Sequence, residues 1–491
     1  MDGLIPRPEA LPSIELQRGG YVPSSEQTRA IEEYSTQLRS AQERLDAEIA
    51  RLSARRCDIG RELEINRSLL APVRRLPPEL LSEVFMHAAR TLRWPQTPSL
   101  FALTLCSVCA TWRVTARSTP LVWRNINLNC CMAGNAWNPL LRLHMQLSRQ
   151  RPLCISSVRC EVALVEFLST LQESDAARLQ ELVLSENGNT LSEIQARPLP
   201  ALSRAVITIL DTCPPDAFNV LVNATSLKDL TITYYAECTD EELAKGLAFP
   251  RLINTSEFAS LTRVNLVLLG DLPIWALFPT FATFAPTLRE LEIGVNSFTD
   301  FEDTAPRTIY DMPRLRHASL GYHAHAFLAH INAPELDTLR LSNTFHSESS
   351  LAFSLPDFLR RSGCPMRSFG LKGPSDETEL ETLIQCFGRM EGLRELILED
   401  DHTPQDSVPC TMAVLTHLVC AEDEPPLLPH LSSLSLKFLG NNKGPLPTSI
   451  ATPLGLMRWS RREPRICSGR AVAALEEFST NADISADTTG M

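Results

Sequence analysis

Two groups of side chains in this sequence have types and spacing that could do chemistry. Cys106 and Cys109 form a Cys-x-x-Cys pair, the spacing of metal-binding and redox-active thiols. His323, His325 and His330 supply imidazoles, which zinc accepts as ligands. No second cysteine pair lies near the first, and no Cys, Asp or Glu lies close enough in sequence to complete a histidine site. We therefore interpret the cysteines as buried thiols and the histidines as structural residues, and we predict no metal and no cofactor.

An acidic cluster at residues 395–401 allows two interpretations. Glu395, Glu399, Asp400 and Asp401 follow an apolar run that has the pattern of a strand. Such a cluster is usually the solvated edge of a strand, and the alternative is a pocket for a basic target. The sequence leaves both open.

Motifs of the common enzyme classes are missing. The sequence has no G-x-x-x-x-G-K-[ST], no G-x-G-x-x-G after a strand, no H-E-x-x-H and no G-x-S-x-G. No nucleophile lies at a readable spacing from a base. We predict a binding protein that is not an enzyme; a buried polar pocket with a nucleophile–base pair would support the alternative of an enzyme.

Composition narrows the class of protein and its partners. The 491 residues are 44% hydrophobic and 21% charged, which is typical of globular domains, and the net charge is −12. An acidic chain is a poor nucleic-acid binder. With no signal peptide, no run long enough to cross a bilayer and 14 scattered cysteines, the chain is expected in the cytoplasm or nucleus, away from membranes and nucleic acid.

The first 70 residues predict a flexible leader and one long helix. Residues 1–23 are rich in proline and glycine, and Ser24 with Gln27 forms a capping box for a helix over residues 24–70. Apolar residues recur every seven positions in this helix, at Leu38, Leu45, Leu52 and Ile59. A coiled coil needs a second apolar seam, and the positions three residues further on are poor: Tyr34, Ala41, Glu48, Arg55 and Glu62. We expect at most a weak homodimer through residues 24–70; the alternative is a helix that lies on the rest of the protein or frays.

Residues 71–128 predict a small helical domain. Pro78 suits the first turn of a helix, in which five apolar residues share a face: Leu80, Leu81, Val84, Phe85 and Ala88. A second helix is predicted to carry Leu105, Val108, Cys109 and Trp112 on one face. Pro120 ends that helix, and Ile126 and Leu128 alternate as in a short strand.

From about residue 150, one apolar triplet recurs with the spacing apolar-x-x-apolar-x-apolar. Its ten copies start 21 to 38 residues apart, close to the period of leucine-rich repeats. Stacked units of this kind predict an α/β fold, a solenoid or horseshoe over residues 150–462 with a parallel concave sheet. The triplets are Leu179/Leu182/Leu184, Leu202/Ala205/Ile207, Leu227/Leu230/Ile232, Leu261/Val264/Leu266, Leu288/Leu291/Ile293, Leu315/Ala318/Leu320, Leu336/Leu339/Leu341, Met366/Phe369/Leu371, Leu393/Leu396/Leu398 and Leu431/Leu434/Leu436.

Three pieces in order carry a resemblance to a known family. They are Leu76-Pro-Pro-Glu-Leu, Val108-Cys-Ala-Thr-Trp-Arg and Leu121-Val-Trp. Together they resemble an F-box, and the layout of long helix, F-box and degenerate leucine-rich repeats is similar to F-box proteins expanded in mushroom-forming fungi. The alternative is a helical core that imitates an F-box.

The resemblance implies a substrate-recognition subunit of a Skp–cullin–F-box ubiquitin ligase. Its partners would be a Skp-type adaptor, through it a cullin, and a protein target of unknown identity. The alternative function is a leucine-rich-repeat scaffold or regulatory binding protein outside any ligase. The residues implied for adaptor contact, or for holding the helices together, are Leu76, Pro77, Leu80, Leu81, Val84, Phe85, Val108, Trp112 and Trp123.

The target is expected on the open face of the repeat strands. The variable positions between the apolar ones are polar and mixed in charge, which favours a protein target over nucleic acid. Residues 463–491 are predicted to form a terminal helix, with Ala471 to Phe478 as its body, and a disordered tail. The predicted target-binding residues are Glu181, Asp229, Arg263, Asn265, Glu290, Glu292, His317, Arg340 and Glu395.

Overall fold

The computed structural model describes residues 19–91, 101–128, 137–159, 161–211, 217–235, 260–269, 284–295, 308–342, 351–372, 377–400, 409–421, 425–438 and 448–480. The chain divides into two compact units, residues 1–84 and 85–491. Most of the predicted leader at residues 1–23 and the predicted tail beyond residue 480 lie outside the described residues.

The predicted long helix is present as α1, Ser25–Leu70. Its capping box forms: the Gln27 backbone N–H donates to the Ser24 hydroxyl, and the Ser24 backbone N–H donates to the Gln27 side chain at 3.0 Å. No proline interrupts its 46 residues, and none of them is buried. A 3₁₀ turn, Pro72–Arg75, follows it.

Helix α2, Pro78–Thr91, starts at the expected proline. The second predicted helix is wrong in one respect, because it is two helices, α3 at Phe101–Val108 and α4 at Ala110–Ser118. Cys109 lies between them in an extended conformation and caps α4, its sulfur accepting from the Trp112 N–H. A 3₁₀ turn, Pro120–Trp123, leads into the first strand.

Among the described residues, thirteen strands form one sheet that is parallel throughout. The strands follow one another in chain order, so each crossover leads to the adjacent position. They are β1 Asn125–Asn127, β2 Leu153–Val158, β3 Leu179–Glu186, β4 Arg204–Ile209, β5 Asp229–Tyr234, β6 Arg263–Leu268, β7 Glu290–Val295, β9 His317–Tyr322, β11 Thr338–Ser342, β12 Ser368–Lys372, β13 Glu395–Asp400, β14 Ser433–Phe438 and β17 Glu477–Thr480.

All ten predicted triplets lie at strands of this sheet. The middle residues of the triplets pair in register from Leu182 to Leu434, and the row is extended by Ile126 and Ile155 at one end and Phe478 at the other. Every member except half-buried Phe478 is buried. In nine of the triplets the first residue is not in the strand; it is buried at the turn two residues before the strand begins. Because successive side chains of a strand point to opposite faces, this buried row lies on the side of the sheet that faces the core.

The sheet extends beyond the predicted limits of 150 and 462. Strand β1 belongs to the segment predicted as a separate helical domain, so that segment and the sheet share strand pairing. At the other end, the terminal helix predicted over Ala471 to Phe478 is wrong. Residues 470–472 form β16, in a small antiparallel pair with β15, Arg465–Cys467, and residues 477–480 are β17 of the main sheet.

Helices cover the core side of the sheet. Phe387 of helix α10, Glu377–Arg389, packs edge-on against Phe369 of β12, with ring centroids 5.8 Å apart. A further small sheet has two parallel strands, β8, Tyr310–Asp311, and β10, Ile331–Asn332. Within the described ranges no helix is long and apolar enough to span a membrane. The remaining helices are α5 Trp137–Ser148, α6 Glu161–Thr170, α7 Glu173–Ala176, α8 Gly188–Glu193, α9 Leu351–Ser362, α11 Pro409–His417 and α12 Thr448–Ser460, with 3₁₀ turns at Asn219–Leu221 and His323–His330.

Candidate interaction surfaces

Helix α2 presents apolar residues on two faces. Leu81 and Phe85, four residues apart, are each only 1% exposed. Leu80 and Val84, also four residues apart, are 54% and 48% exposed. Residues at this spacing are neighbours on a helix surface, so Leu80 and Val84 form an apolar pair in contact with water. Of the residues predicted for adaptor contact, Pro77 is also exposed and Leu76 is half-buried.

Phe85 packs against Trp112 in the second unit. Their rings meet edge to face with centroids 4.9 Å apart, and Trp112 is half-buried. Val108 is different, because it ends α3 with half of its surface exposed. Of the nine residues predicted to contact an adaptor or to hold the helices together, Leu81, Phe85 and Trp123 are buried.

Trp123 joins the small helices to the start of the sheet. Its side chain is fully buried, and its indole Nε1–H donates to the Ala116 carbonyl at 2.8 Å. His144 of α5 packs edge-on against the indole at 5.1 Å, and its Nδ1 lies 3.1 Å from the Trp123 carbonyl oxygen. Burial lowers the pKa of His144 below its ordinary value, so the ring is neutral at pH 7 and its Nδ1–H donates to that carbonyl.

A ladder of alternating charge crosses the open face of the sheet. Glu181, Arg204, Asp229, Arg263 and Glu290 occupy equivalent register positions on β3, β4, β5, β6 and β7. Each arginine reaches the carboxylates on both sides. The N–O distances along the row are 2.9, 3.5, 3.7 and 2.5 Å. We call these five residues the charge ladder.

Hydrogen bonding within the charge ladder shifts its pKa values. The bond from Arg263 lowers the pKa of Glu290 and raises the pKa of Arg263. Arg204 was missed as a surface residue in the sequence, although it sits one residue before a triplet's middle position, as Asp229 and Arg263 do. With Arg204 included, two arginines face three carboxylates, so the row has a net charge of −1 and is nearly neutral.

The other predicted target-binding residues lie on the same face. Glu292 accepts from the Asn265 amide at 2.9 Å, and His317 lies 3.3 Å from an Asp337 oxygen. Arg340 on β11 is exposed, and Glu395 on β13 accepts from the Ser368 hydroxyl. The structure thus places all nine on the open face of one sheet, as expected, but it pairs most of them with each other.

In the part of the chain that the structure describes, the side chains that could do chemistry are not brought together into a site. His323, His325 and His330 lie in the 3₁₀ turn at residues 323–330, and the His325 ring contacts the Tyr322 carbonyl. Among the described residues, no three or more His, Cys, Asp or Glu side chains are grouped to hold a metal. Cys106 is partly buried, and burial raises the pKa of its thiol. In the acidic cluster, Glu399 is paired with Lys437 at 2.7 Å, and Asp401 lies outside the described residues.

No model of a known protein family matches this chain, and a search of curated proteins finds no match either. What the protein binds must therefore be argued from its own surfaces, the exposed pair on α2 and the open face of the sheet.

Proposed function

We propose that this protein is the substrate-recognition subunit of a Skp–cullin–F-box ubiquitin ligase. In this proposal, residues 71–128 are an F-box that binds a Skp-type adaptor and, through it, a cullin. The sheet belongs to a leucine-rich-repeat solenoid whose concave face holds a protein target. The observation that carries the proposal is the exposure of Leu80 and Val84 on a helix whose adjacent face, with Leu81 and Phe85, is buried.

A partner that covers the exposed apolar pair, Leu80 and Val84, would gain binding free energy. Fully burying a Leu or Val side chain contributes about 1.5–3 kcal/mol. Because Leu80 and Val84 are each about half exposed, covering both would contribute about 2 kcal/mol, or roughly 30-fold in affinity. Val108 offers a further half-exposed side chain in the second unit. In this proposal the helices are held in place by Leu81, Phe85, Trp112 and Trp123.

The sheet supports the target-binding half of the proposal. Ten strands carry the triplet at a period near that of leucine-rich repeats, and their middle residues pair in one continuous row. On the described strands, the open face mixes charges of both signs, without the basic tracks and stacked aromatics of a nucleic-acid interface. A protein surface is the better match for such a face.

The mechanism would be proximity rather than covalent chemistry. A target held on the sheet while the F-box holds the adaptor would stay close to the charged conjugating enzyme, at high effective concentration. Such a subunit would work in the cytoplasm or nucleus.

Binding of the full chain to a purified Skp-type adaptor tests the proposal. The double variant Leu80→Glu/Val84→Glu is expected to lose at least tenfold in affinity, about 1.4 kcal/mol. The matched control is Leu456→Glu/Ile466→Glu, which alters two exposed apolar residues far from α2 in the sequence. Phe85 is unsuitable for substitution, since it is buried and its loss would disturb the fold.

Three outcomes decide between the ligase subunit and the scaffold. Loss of binding in the α2 variant alone supports the F-box. No binding by the unaltered chain, or equal loss in both variants, overturns it. Adaptor that co-purifies from cells without any cullin favours the alternative, a repeat scaffold outside a ligase.

A further inference from the structure

Helix α1 carries a second apolar seam, which lies four residues after positions of the first seam rather than three. Four residues after the positions Leu45, Ile59 and Asn66 come Ile49, Leu63 and Leu70. Taken together with the first seam, apolar residues then recur at alternating spacings of four and three, which is the pattern of a two-stranded coiled coil. The combined seam is Leu38, Gln42, Leu45, Ile49, Leu52, Arg56, Ile59, Leu63, Asn66 and Leu70.

Every apolar member of this seam is in contact with water. The exposed fractions of the seven Leu and Ile side chains run from 43% to 73%. A straight helix that lies on a globular surface drifts by about 20° per seven residues, so it does not need a strict seven-residue repeat. Leu38, Leu45, Leu52 and Ile59 keep that repeat without error. A second helix with the same repeat is the surface that fits it.

We propose that a second copy of this chain covers the seam, in a parallel, in-register coiled coil over residues 38–70. In that register each seam residue meets its own copy, so apolar residues meet apolar ones and polar residues meet polar ones. Gln42, Arg56 and Asn66 are the polar members, and polar seam residues set the register at a cost in stability. The Arg56 side chain is long enough to turn its guanidinium outward to water.

Charges beside the seam favour the parallel orientation. In the parallel dimer, Glu62 of one copy faces Arg67 of the other, and this contact occurs twice by symmetry. In the antiparallel alignment that best matches the seam, with Leu45 opposite Leu63, Glu62 would instead face Glu48, and Arg67 would face Arg39. Like charges at such positions are unfavourable, so the flanking residues select the parallel arrangement.

Sedimentation equilibrium of the full-length protein tests the dimer. At micromolar concentration the expected mass is twice the chain mass of 54.6 kDa. Leu52→Lys/Leu63→Lys removes two seam layers and is expected to raise the dissociation constant by more than about 100-fold. Lysine has a helix propensity close to that of leucine. The control Ala47→Lys/Ser54→Lys adds the same charges on the outer face and is expected to remain dimeric. A wild-type chain that stays monomeric, or a control that dissociates like the seam variant, overturns the proposal.

Arg67→Glu decides the orientation. In the parallel dimer it places two glutamates together and weakens association, and Glu62→Arg/Arg67→Glu restores it. In the antiparallel alignment the same substitution would place the introduced carboxylate opposite Arg39 and tighten association, which would overturn the parallel arrangement. The dimer is independent of the F-box, so the Leu52→Lys/Leu63→Lys variant is expected to bind the Skp-type adaptor normally.

Discussion

Arg263 donates from its Nε to Oε2 of Glu290 at 2.5 Å, across two adjacent parallel strands. The same guanidinium lies 3.7 Å from Asp229 on the other neighbouring strand. Adjacent strands are about 4.8 Å apart. Unlike charges in the row lie on adjacent strands, and like charges lie two strand spacings apart. The charged groups of the ladder are therefore paired with each other, and a target would have to be recognised mainly by residues outside the ladder.

Removing Arg263 is expected to weaken the ladder measurably. Arg263→Ala leaves Asp229 and Glu290 without their shared partner, and we expect a loss of about 1 kcal/mol in the free energy of unfolding, at the upper end for exposed pairs because two contacts are lost. Urea denaturation measures the loss, which should shrink in 1 M NaCl, where the Debye length is about 3 Å. Arg340→Ala, at an exposed position on β11, is the control and should change little. An effect that does not depend on salt would contradict an electrostatic role.

The ladder should also respond to acid. The pKa of Glu290 is lowered in the folded state, so its contribution is fully present above its unfolded pKa of about 4.5 and is lost as the pH falls through the lower, folded value. We expect the Arg263→Ala penalty to be constant from pH 8 to pH 5 and to decrease below about pH 4.5. The penalty is measured by urea denaturation at each pH. A penalty that grows in acid would refute the assignment.

Trp123 is expected to stabilise the fold without touching a partner. Trp123→Phe removes the indole donor to the Ala116 carbonyl, which keeps the Thr119 N–H at 3.2 Å, so we expect a loss of about 0.5–1.5 kcal/mol in the free energy of unfolding. Thermal or urea unfolding measures this cost, and Trp459→Phe at an exposed site serves as the control. Affinity for the Skp-type adaptor, measured where the variant is still folded, should be unchanged. A tenfold loss there would place Trp123 at the interface after all.

His144 is expected to make the protein less stable in mild acid. Its folded pKa lies below the ordinary 6.5, so the stability it contributes is complete above pH 6.5 and declines as the pH falls from there toward the folded value. His144→Leu removes this titration, and its cost in unfolding free energy should therefore be smaller at pH 5 than at pH 8. The exposed His430→Leu variant controls for general effects of acid. An equal His144→Leu cost at both pH values would contradict a buried neutral ring.

The sequence predicts the sheet well because one physical constraint repeats. A buried row needs an apolar residue at the same register position of every strand, and ten triplets meet that need from Leu182 to Leu434. The same logic missed β17, where Ala471 to Phe478 has good helix formers. Helix propensities differ by less than about 1 kcal/mol per residue, and pairing of Phe478 beside Leu434 outweighs them.

The surfaces were harder to predict than the core. A helical pattern shows which residues are apolar, but it does not show which of two apolar faces is covered. On α2 the sequence grouped Leu80, Leu81, Val84 and Phe85 as one face, and the structure separates them into an exposed and a buried pair. The break at Cys109 was also invisible, because the apolar spacing from Leu105 to Trp112 fits one continuous helix.

Arg461 supplies the sharpest test of the core near the end of the chain. Its guanidinium is fully buried and donates to the Leu418 and Leu428 carbonyls at 2.9 Å each, and also to the Leu427 carbonyl. These acceptors lie in the loop between α11 and β14, so Arg461 ties helix α12 to that loop. Burial lowers the pKa of Arg461, yet the three acceptors match the donors of its planar fork.

Arg461→Leu removes those donors. The Leu428 carbonyl keeps the Leu431 N–H at 3.2 Å, whereas the buried Leu418 carbonyl keeps only a long contact with the Cys420 thiol. At about 1–3 kcal/mol for an unsatisfied buried group, we expect a loss of about 2–3 kcal/mol in the free energy of unfolding. Arg461→Lys should recover part of this loss, because an ammonium cannot reach all three acceptors. Arg462→Leu, at the exposed neighbouring position, should stay within about 0.5 kcal/mol of the unaltered protein. Urea denaturation of the three variants measures these differences, and equal losses at Arg461 and Arg462 would show that the buried contacts do not hold this end of the sheet.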